Sequence, residues 1–166
     1  MKSPDPFEQQ LVAMLPRLRR FAHGLCRNAF EADDLVQQAA ERALRSRSQW
    51  QEGTRLDSWL YRILRNLWVD IGRSRARRSK HEAPAEEALA VPHGGPSPHA
   101  VLELGQAMAA MQRLPNEQRE VVMLILVEGF GYREAAELLD LPIGTVSSRL
   151  VRGRTALLDL LEGRRD

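Results

Sequence analysis

The sequence predicts an all-α protein made of two small helical domains joined by a flexible linker. Apolar residues recur at helical spacing along almost the whole chain, and no alternating Val, Ile, Thr or Tyr segment closed by a hairpin turn is found. Residues 80–98 break the pattern, because four prolines and two glycines crowd there among Ala and Glu. We therefore predict one domain at residues 1–79, a linker at 80–98 and a second domain at 99–166.

Charge divides the chain in the same way. Residues 1–80 carry 16 basic and 9 acidic side chains, a net of +7, whereas residues 81–166 carry 8 and 13, a net of −5. The basic half favours a polyanionic partner, and the acidic half means that only selected surfaces could touch that partner.

Several classes of protein are disfavoured by simple counts. Cys26 is the only cysteine, so neither an internal disulfide nor a cysteine-rich zinc site can form within one chain. The longest apolar run, residues 121–127, is far shorter than the roughly 20 residues of a membrane helix. The first residues lack the apolar core of a signal peptide, and we expect a cytoplasmic protein.

Helix boundaries follow from prolines, caps and glycines. In the first domain we predict helices at residues 7–15, 16–27, 32–47 and 57–79, with Pro16 as the first residue of its helix. In the second domain, Ser97 and Pro98 begin one helix and Pro115 begins the next, which ends near Gly129. Two helices follow, one at residues 132–139 and one that is capped by Thr145 and runs to about Leu161.

The helix predicted at residues 57–79 has one apolar and one basic face. Leu60, Ile63, Leu64, Leu67 and Ile71 form the apolar stripe. The opposite arc holds Arg62, Arg65, Asn66, Val69 and Arg73. A solvated cationic face is the alternative, but such a face usually mixes charge signs. We favour contact with nucleic acid, with Asn66 at a base edge and the arginines on phosphates.

The loop before this helix lies between Trp50 and Trp59. Polar groups between two aromatic rings could hold an unstacked base. For the tryptophans themselves we favour a place in the core, because Trp is mostly buried.

The helix predicted at residues 32–47 turns hydrogen-bonding side chains outward, since Ala32, Leu35, Val36, Ala39 and Ala43 form its apolar side. A surface of this kind suits a protein partner at least as well as DNA, and an ordinary wet helix surface is the alternative. The outward residues are Asp34, Gln37, Gln38, Glu41 and Arg45.

The last two helices have the spacing of a helix-turn-helix. The stripe of Val146, Leu150, Gly153, Leu157 and Leu160 faces inward in the second of them, which makes it a candidate recognition helix for the major groove. A structural hairpin is the alternative. The remaining residues of this helix that are predicted to contact DNA are Thr145, Ser147, Ser148, Arg149, Val151, Arg152 and Arg154.

No catalytic set is recognisable in the sequence. His23 and Cys26 lie one helical turn apart, but a satisfied histidine and a buried thiol explain them better than a metal does. Asp33 and Asp34 are adjacent on a helix and point to different faces, so a nuclease is disfavoured. We expect no enzyme activity, no catalytic residue, no metal and no cofactor.

Three segments resemble the smallest type of bacterial sigma factor, the extracytoplasmic-function (ECF) group of the sigma-70 superfamily, which contains only regions 2 and 4. Residues 32–38 (ADDLVQQ) are similar to the region 2 helix that binds RNA polymerase. Residues 57–66 (DSWLYRILRN) resemble the segment that melts and reads the −10 element. Residues 114–121 (LPNEQREV) with 144–150 (GTVSSRL) resemble region 4, which reads the −35 element.

The resemblance implies a role for each surface. The outward face at 32–47 would bind core polymerase, and the last helix would read the −35 element. The −10 element would be held by Gln51, Glu52, Thr54, Arg55, Arg62, Arg65, Asn66 and Arg73. It further implies control by an anti-sigma factor and a monomer without membrane insertion.

Two other classes remain open. A sigma mimic would sequester an anti-sigma factor without engaging DNA, although the basic surfaces around Asn66 and Arg152 weigh against it. A simple helix-turn-helix repressor would leave the first domain unexplained, and we see no dedicated dimerisation helix.

Overall fold

The computed structural model describes residues 5–79 and 97–163, and over these ranges it is helical without strands. Residues 80–96, which make up nearly all of the predicted linker, lie outside them. The α-helices are α1 (Pro6–Leu25), α2 (Ala29–Arg45), α3 (Leu56–Arg78), α4 (Pro98–Arg113), α5 (Asn116–Val122), α6 (Tyr132–Leu139) and α7 (Ile143–Glu162). A 3-10 turn, Arg47–Gln49, follows α2, and a π-helical turn, Met123–Val127, continues α5.

Helix α1 is one helix where two were predicted. Asp5 caps it, with Oδ1 accepting the Phe7 N–H at 2.9 Å, and Pro16 lies in its interior. The prediction was wrong because Pro16 is on the exposed side, while the buried stripe of Leu11 and Leu18 continues past it. Burial of that stripe outweighs the hydrogen bond that proline removes from the helix.

Helices α2 and α3 place their predicted apolar residues inward. Asn28 caps α2 by accepting the Glu31 N–H at 2.8 Å, so the helix begins three residues before the predicted start. The five predicted apolar residues of α2 are all buried, which confirms that face. On α3, Leu60 and Leu64 are fully buried, while the other three predicted core residues are half-buried and pack on the core.

The carboxy-terminal half begins at the predicted cap, where Ser97 Oγ accepts the Ala100 N–H at 3.3 Å. The cap predicted at Thr145 was wrong, because α7 begins at Ile143 and Thr145 lies within its first turn. Pro142, fixed near φ −59°, precedes the helix, and its carbonyl accepts the N–H groups of Thr145 and Val146. Asp140, at φ 54°, ends α6 in the left-handed conformation.

Helices α5 and α7 approach closely at Gly153. A Cβ atom at this position would lie 2.8 Å from Val122 Cγ2, so a larger residue would force the helices apart. Val146, Leu150 and Gly153 are buried as predicted, and this packing holds α7 against the rest of the half.

The two halves, α1–α3 and α4–α7, share one hydrophobic cluster. Tyr61 packs edge-on between Phe21 of α1 and Phe130, with ring centroids 5.0 Å apart in each pair. Gly24 of α1 lies directly against the side chain of Met123, which would have to shift to admit a Cβ atom at this position. In this structure, apolar packing continues from one half into the other.

Candidate nucleic-acid interface

The outward face of α2 carries the five residues predicted to bind a protein partner. Gln38 is half-buried and the other four are exposed. Gln38 Nε2 donates to Asp34 Oδ2 at 2.7 Å, and Gln37 Nε2 donates to Glu41 Oε1 at 3.3 Å. These i,i+4 contacts order the side chains on one surface of the helix.

Only part of the basic face predicted on α3 is free of contacts with the carboxy-terminal half. Asn66 and Arg73 are exposed, but Arg62 and Arg65 contact the carboxy-terminal half. Arg62 Nη2 donates to the Glu137 carbonyl at 3.0 Å. Arg65 forms a forked pair with Glu120, with nitrogen to oxygen distances of 2.9 and 3.3 Å.

The loop of residues 51–55 is a tight turn beside a cavity. Gln51 O accepts the Thr54 N–H at 3.1 Å and the Thr54 hydroxyl at 2.6 Å, and Gly53 has a φ of 89° that favours glycine. The cavity measures about 410 Å³. Its lining includes Gln10, Arg47, Trp50, Glu52 and Thr54.

Arg55, at the end of this loop, is held from two sides. Its guanidinium donates to both carboxylate oxygens of Asp57, at 3.1 and 2.7 Å, and also pairs with Glu134 of α6. The hydrogen bond from Arg55 lowers the pKa of Asp57 below its ordinary value. Arg55 is therefore engaged by the carboxy-terminal half, as Arg62 and Arg65 are.

Helix α7 presents most of its predicted DNA residues to solvent. Ser148, Val151, Arg152 and Arg154 are exposed, while Thr145 and Ser147 are half-buried. Arg149 differs from these, because it turns toward α5 and pairs with Glu117 at 3.2 Å and with Glu120 at 3.9 Å.

Three buried charged residues around α5 and the π-helical turn were missed by sequence reasoning: Arg119, Glu120 and Glu128. Glu128, whose side chain is 0% exposed, accepts two hydrogen bonds at 2.8 Å from Arg20 and one at 2.5 Å from the Tyr61 hydroxyl. One feature of the sequence could have indicated the burial of Glu128: this acid follows directly after the apolar run 121–127.

Arg119 satisfies the carbonyl groups at two helix ends. It donates to the carbonyls of Met111, Gln112 and Leu114 around the end of α4, and to the Leu25 carbonyl at the end of α1. Burial lowers the pKa of this guanidinium, but four acceptors between 2.7 and 3.0 Å suit its charged form.

The contacts of Glu128 also shift the pKa values of its two partners, Arg20 and Tyr61. The hydrogen bonds with Glu128 raise the pKa of Arg20. Burial and then the hydrogen bond to Glu128 raise the pKa of Tyr61, so its hydroxyl remains a donor at neutral pH.

Neither a metal cluster nor a membrane span is found over residues 5–79 and 97–163. No group of three or more metal-ligating side chains occurs in that part of the chain, and His23 contacts Asp33 at 3.5 Å. No helix among these residues is long and apolar enough to cross a bilayer.

Comparison with known families defines the class of the protein. The Sigma-70 region 2 family matches residues 11–78, and the Sigma-70 region 4 family matches residues 104–157. The first match covers α3 and its basic face, and the second covers the helix-turn-helix. The chain belongs to the sigma-70 family of RNA polymerase sigma factors, in its ECF group. From here α1–α3 is called region 2 and α4–α7 region 4.

Individual relatives place the chain in the ECF group. It is 38% identical over 161 residues to the ECF RNA polymerase sigma factor EcfG of Rhodopseudomonas palustris, covering 97% of this chain and 88% of the relative. The sigma factor RpoE of Bartonella quintana, solved in complex with the anti-sigma factor NepR, is 34% identical with a TM-score of 0.84. That match covers 94% of this chain and 96% of RpoE.

Proposed function

We propose that the chain acts in the cytoplasm as a monomeric initiation factor, which binds core RNA polymerase and reads two promoter elements with two surfaces. The observation that carries this proposal is the presence, in one chain of the sigma family, of a basic region 2 helix and an exposed recognition helix. Tethering the two surfaces would raise their joint affinity for a promoter.

For the −10 element, α3 and the loop of residues 51–55 act together. Asn66 lies exposed on the same helix as the arginines, where its amide can pair with a base edge. The cavity beside Trp50 has room for one unpaired base, with polar side chains from Gln10, Arg47 and Glu52 on its wall. Capture of such a base would drive melting without covalent chemistry.

For the −35 element, α7 enters the major groove. Ser148 and Arg152 lie one turn apart on its exposed side, and Arg152 already donates to the Ser148 hydroxyl at 3.3 Å. Arg154 and Val151 extend the same exposed surface, which suits one charged and one apolar contact.

The ordered outward face of α2 binds the polymerase, and an anti-sigma factor controls access to the protein. The mixed carboxylate and amide character of Asp34, Gln37 and Glu41 suits a polar protein interface. Support for control comes from the similar RpoE, which was solved with its anti-sigma factor.

For function we assign residues 1–79 and 99–166 as separable DNA-reading units, joined by residues 80–98. Simultaneous contact with two promoter elements requires that the units can move apart. The composition of the joining segment, rich in Pro and Gly, supports this assignment.

The test is transcription in vitro with purified bacterial core polymerase on a pooled genomic promoter library, with the transcript starts sequenced. We expect discrete starts that share two spaced motifs. Asn66→Ala should reduce this transcription about tenfold, because one base contact is lost, while leaving core binding unchanged. Gln106→Ala, an exposed amide on α4, is the matched control.

Other outcomes would contradict the proposal. Equal loss of transcription and core binding in Asn66→Ala would remove the −10 assignment of that residue. Core binding without transcripts from wild type would indicate a sigma mimic, and DNA binding without core would indicate a repressor.

A further inference from the structure

Arg149 lies on the recognition helix α7, but its side chain turns toward α5 rather than toward solvent. The guanidinium pairs with Glu117 at 3.2 Å and with Glu120 at 3.9 Å. The Arg149 side chain is 17% exposed, whereas Arg152, three residues further along α7, is exposed to solvent. Two arginines of one helix therefore have different surroundings, and of the two it is Arg152 that is open to the major groove.

The helical period accounts for this difference. Successive residues of an α-helix are rotated by about 100°, which places Arg149 about 60° and Arg152 about 120° from Val146, in the middle of the buried stripe. Arg149 thus lies at the edge of the stripe that packs on α5, where its long side chain reaches the acids of that helix. A charged group at this edge can fix one helix against its neighbour.

The ion pair differs in kind from the other contacts between α5 and α7. At Gly153, a Cβ atom would lie 2.8 Å from Val122 Cγ2 and 3.2 Å from Gln118 Cβ, so close packing sets the distance between the helices. Apolar contacts are non-directional and tolerate a small roll of one helix on the other. A guanidinium paired with carboxylates has a defined geometry, so the Arg149 pair opposes such a roll.

We propose that Arg149 is a positioning residue for −35 recognition: its pair with Glu117 and Glu120 sets the rotation of α7, and thereby which side chains meet the base edges. Arg149 itself does not contact DNA. This inference rests on the proposed role of α7 in reading the −35 element. Functional contacts tolerate a displacement of only about 0.5 Å, so a small roll of α7 would cost discrimination between bases.

Two changes separate this role from a contact with a DNA phosphate. Arg149→Gln removes the guanidinium in either case. Glu117→Lys keeps Arg149 but sets a like charge against it. If Arg149 bound a phosphate, Glu117→Lys would release it and add a positive charge near DNA, so binding would tighten. If Arg149 positions α7, the same change lowers discrimination.

Glu117 is a suitable position for this change, since its side chain is 70% exposed and pairs within region 4. Glu120 is less suitable, because Arg65 of region 2 also holds it at 2.9 Å. Glu103→Lys is the matched control: Glu103 is 65% exposed, pairs with His99 on α4 and undergoes the same change in charge. Thermal unfolding checks the fold of each variant, and exposed ion pairs contribute little to stability.

The measurement is the binding of holoenzyme, formed from the full chain and core polymerase, to fluorescein-labelled promoter duplexes, followed by anisotropy. One duplex carries a promoter that the wild-type protein uses in transcription, and the others carry single substitutions in its −35 element. We expect Arg149→Gln and Glu117→Lys each to lower discrimination between these duplexes about fivefold, and Glu103→Lys to leave it unchanged. The slope of log affinity against log salt concentration should be the same for Arg149→Gln as for wild type.

A slope that is weaker by about 0.9 in Arg149→Gln would identify a phosphate contact and overturn the proposal. Tighter binding without loss of discrimination in Glu117→Lys would overturn it as well. Arg152→Ala reports separately on the proposed function. If that variant discriminates as well as wild type, the reading of the −35 element by α7 fails and the positioning role fails with it, whereas full discrimination in Arg149→Gln alone refutes only the positioning role.

Discussion

The Tyr61 hydroxyl donates to Glu128 Oε2 over 2.5 Å, joining the middle of α3 to the residue that follows the π-helical turn. Both side chains are buried, and the same carboxylate is forked by Arg20. Side chains of region 2 therefore donate the hydrogen bonds that the buried Glu128 carboxylate of region 4 needs. These bonds fix how the two regions pack, which apolar contacts alone would do less specifically.

Tyr61→Phe should lower the free energy of unfolding by about 1.5 kcal/mol, because a hydrogen bond to a buried carboxylate is lost while the ring packing is kept. Chemical denaturation in urea measures this change. Tyr132→Phe is the control, since Tyr132 is 45% exposed and should cause little change. Equal effects of the two variants would mean that the Tyr61 hydrogen bond contributes nothing.

Arg119→Lys should lower the free energy of unfolding by about 3 kcal/mol, because an ammonium group cannot reproduce a fork that serves four carbonyls at two helix ends. Arg113→Lys, an exposed position at the end of α4, controls for the general effect of the replacement. A stable Arg119→Lys protein would show that water can take over those carbonyls.

Burial raises the pKa of the Cys26 thiol from 9.0 to about 12. A group whose pKa is raised on folding favours the folded state below its unfolded pKa, and this contribution is lost as pH rises from 9.0 toward 12. Between about pH 9 and 11, wild type should therefore lose about 2 kcal/mol more stability than Cys26→Ala, as measured by urea denaturation at each pH. Parallel pH profiles would show that the native thiol ionises freely.

Arg152→Ala should weaken use of the −35 element selectively, because the side chain is exposed on the recognition helix one turn from Ser148. The measurement is transcription from promoters that carry single substitutions in the −35 element, and the variant should lose discrimination at one position. Glu162→Ala, at the far end of α7, is the control. A uniform loss across all promoters would reassign Arg152 to a phosphate contact.

Much of the architecture was predictable from local patterns. The buried face of α2, the cap at Ser97 and the helix-turn-helix all depend on residues within a few turns of one another, where periodicity and capping chemistry act. Two helix boundaries were predicted wrongly. Pro16 does not begin a helix, because burial of Leu11 and Leu18 carries α1 past it. Thr145 does not cap α7, because Pro142 precedes a helix that begins at Ile143.

The functional surfaces were predictable as helix faces but not in their surroundings. Exposure of Asn66, Arg73 and Arg152 follows from helical period alone. The burial of Glu128 and the pairing of Arg65 with Glu120 do not, because the partners are tens of residues apart in sequence.

The sequence by itself determined the all-helical fold class, the apolar stripes and the family, because each depends on short-range spacing that a single segment carries. The tertiary structure alone decided that region 4 packs against the basic face of region 2. That arrangement arises where two separately amphipathic halves meet, and the pairing of Arg55, Arg62 and Arg65 there depends on geometry that no single segment contains.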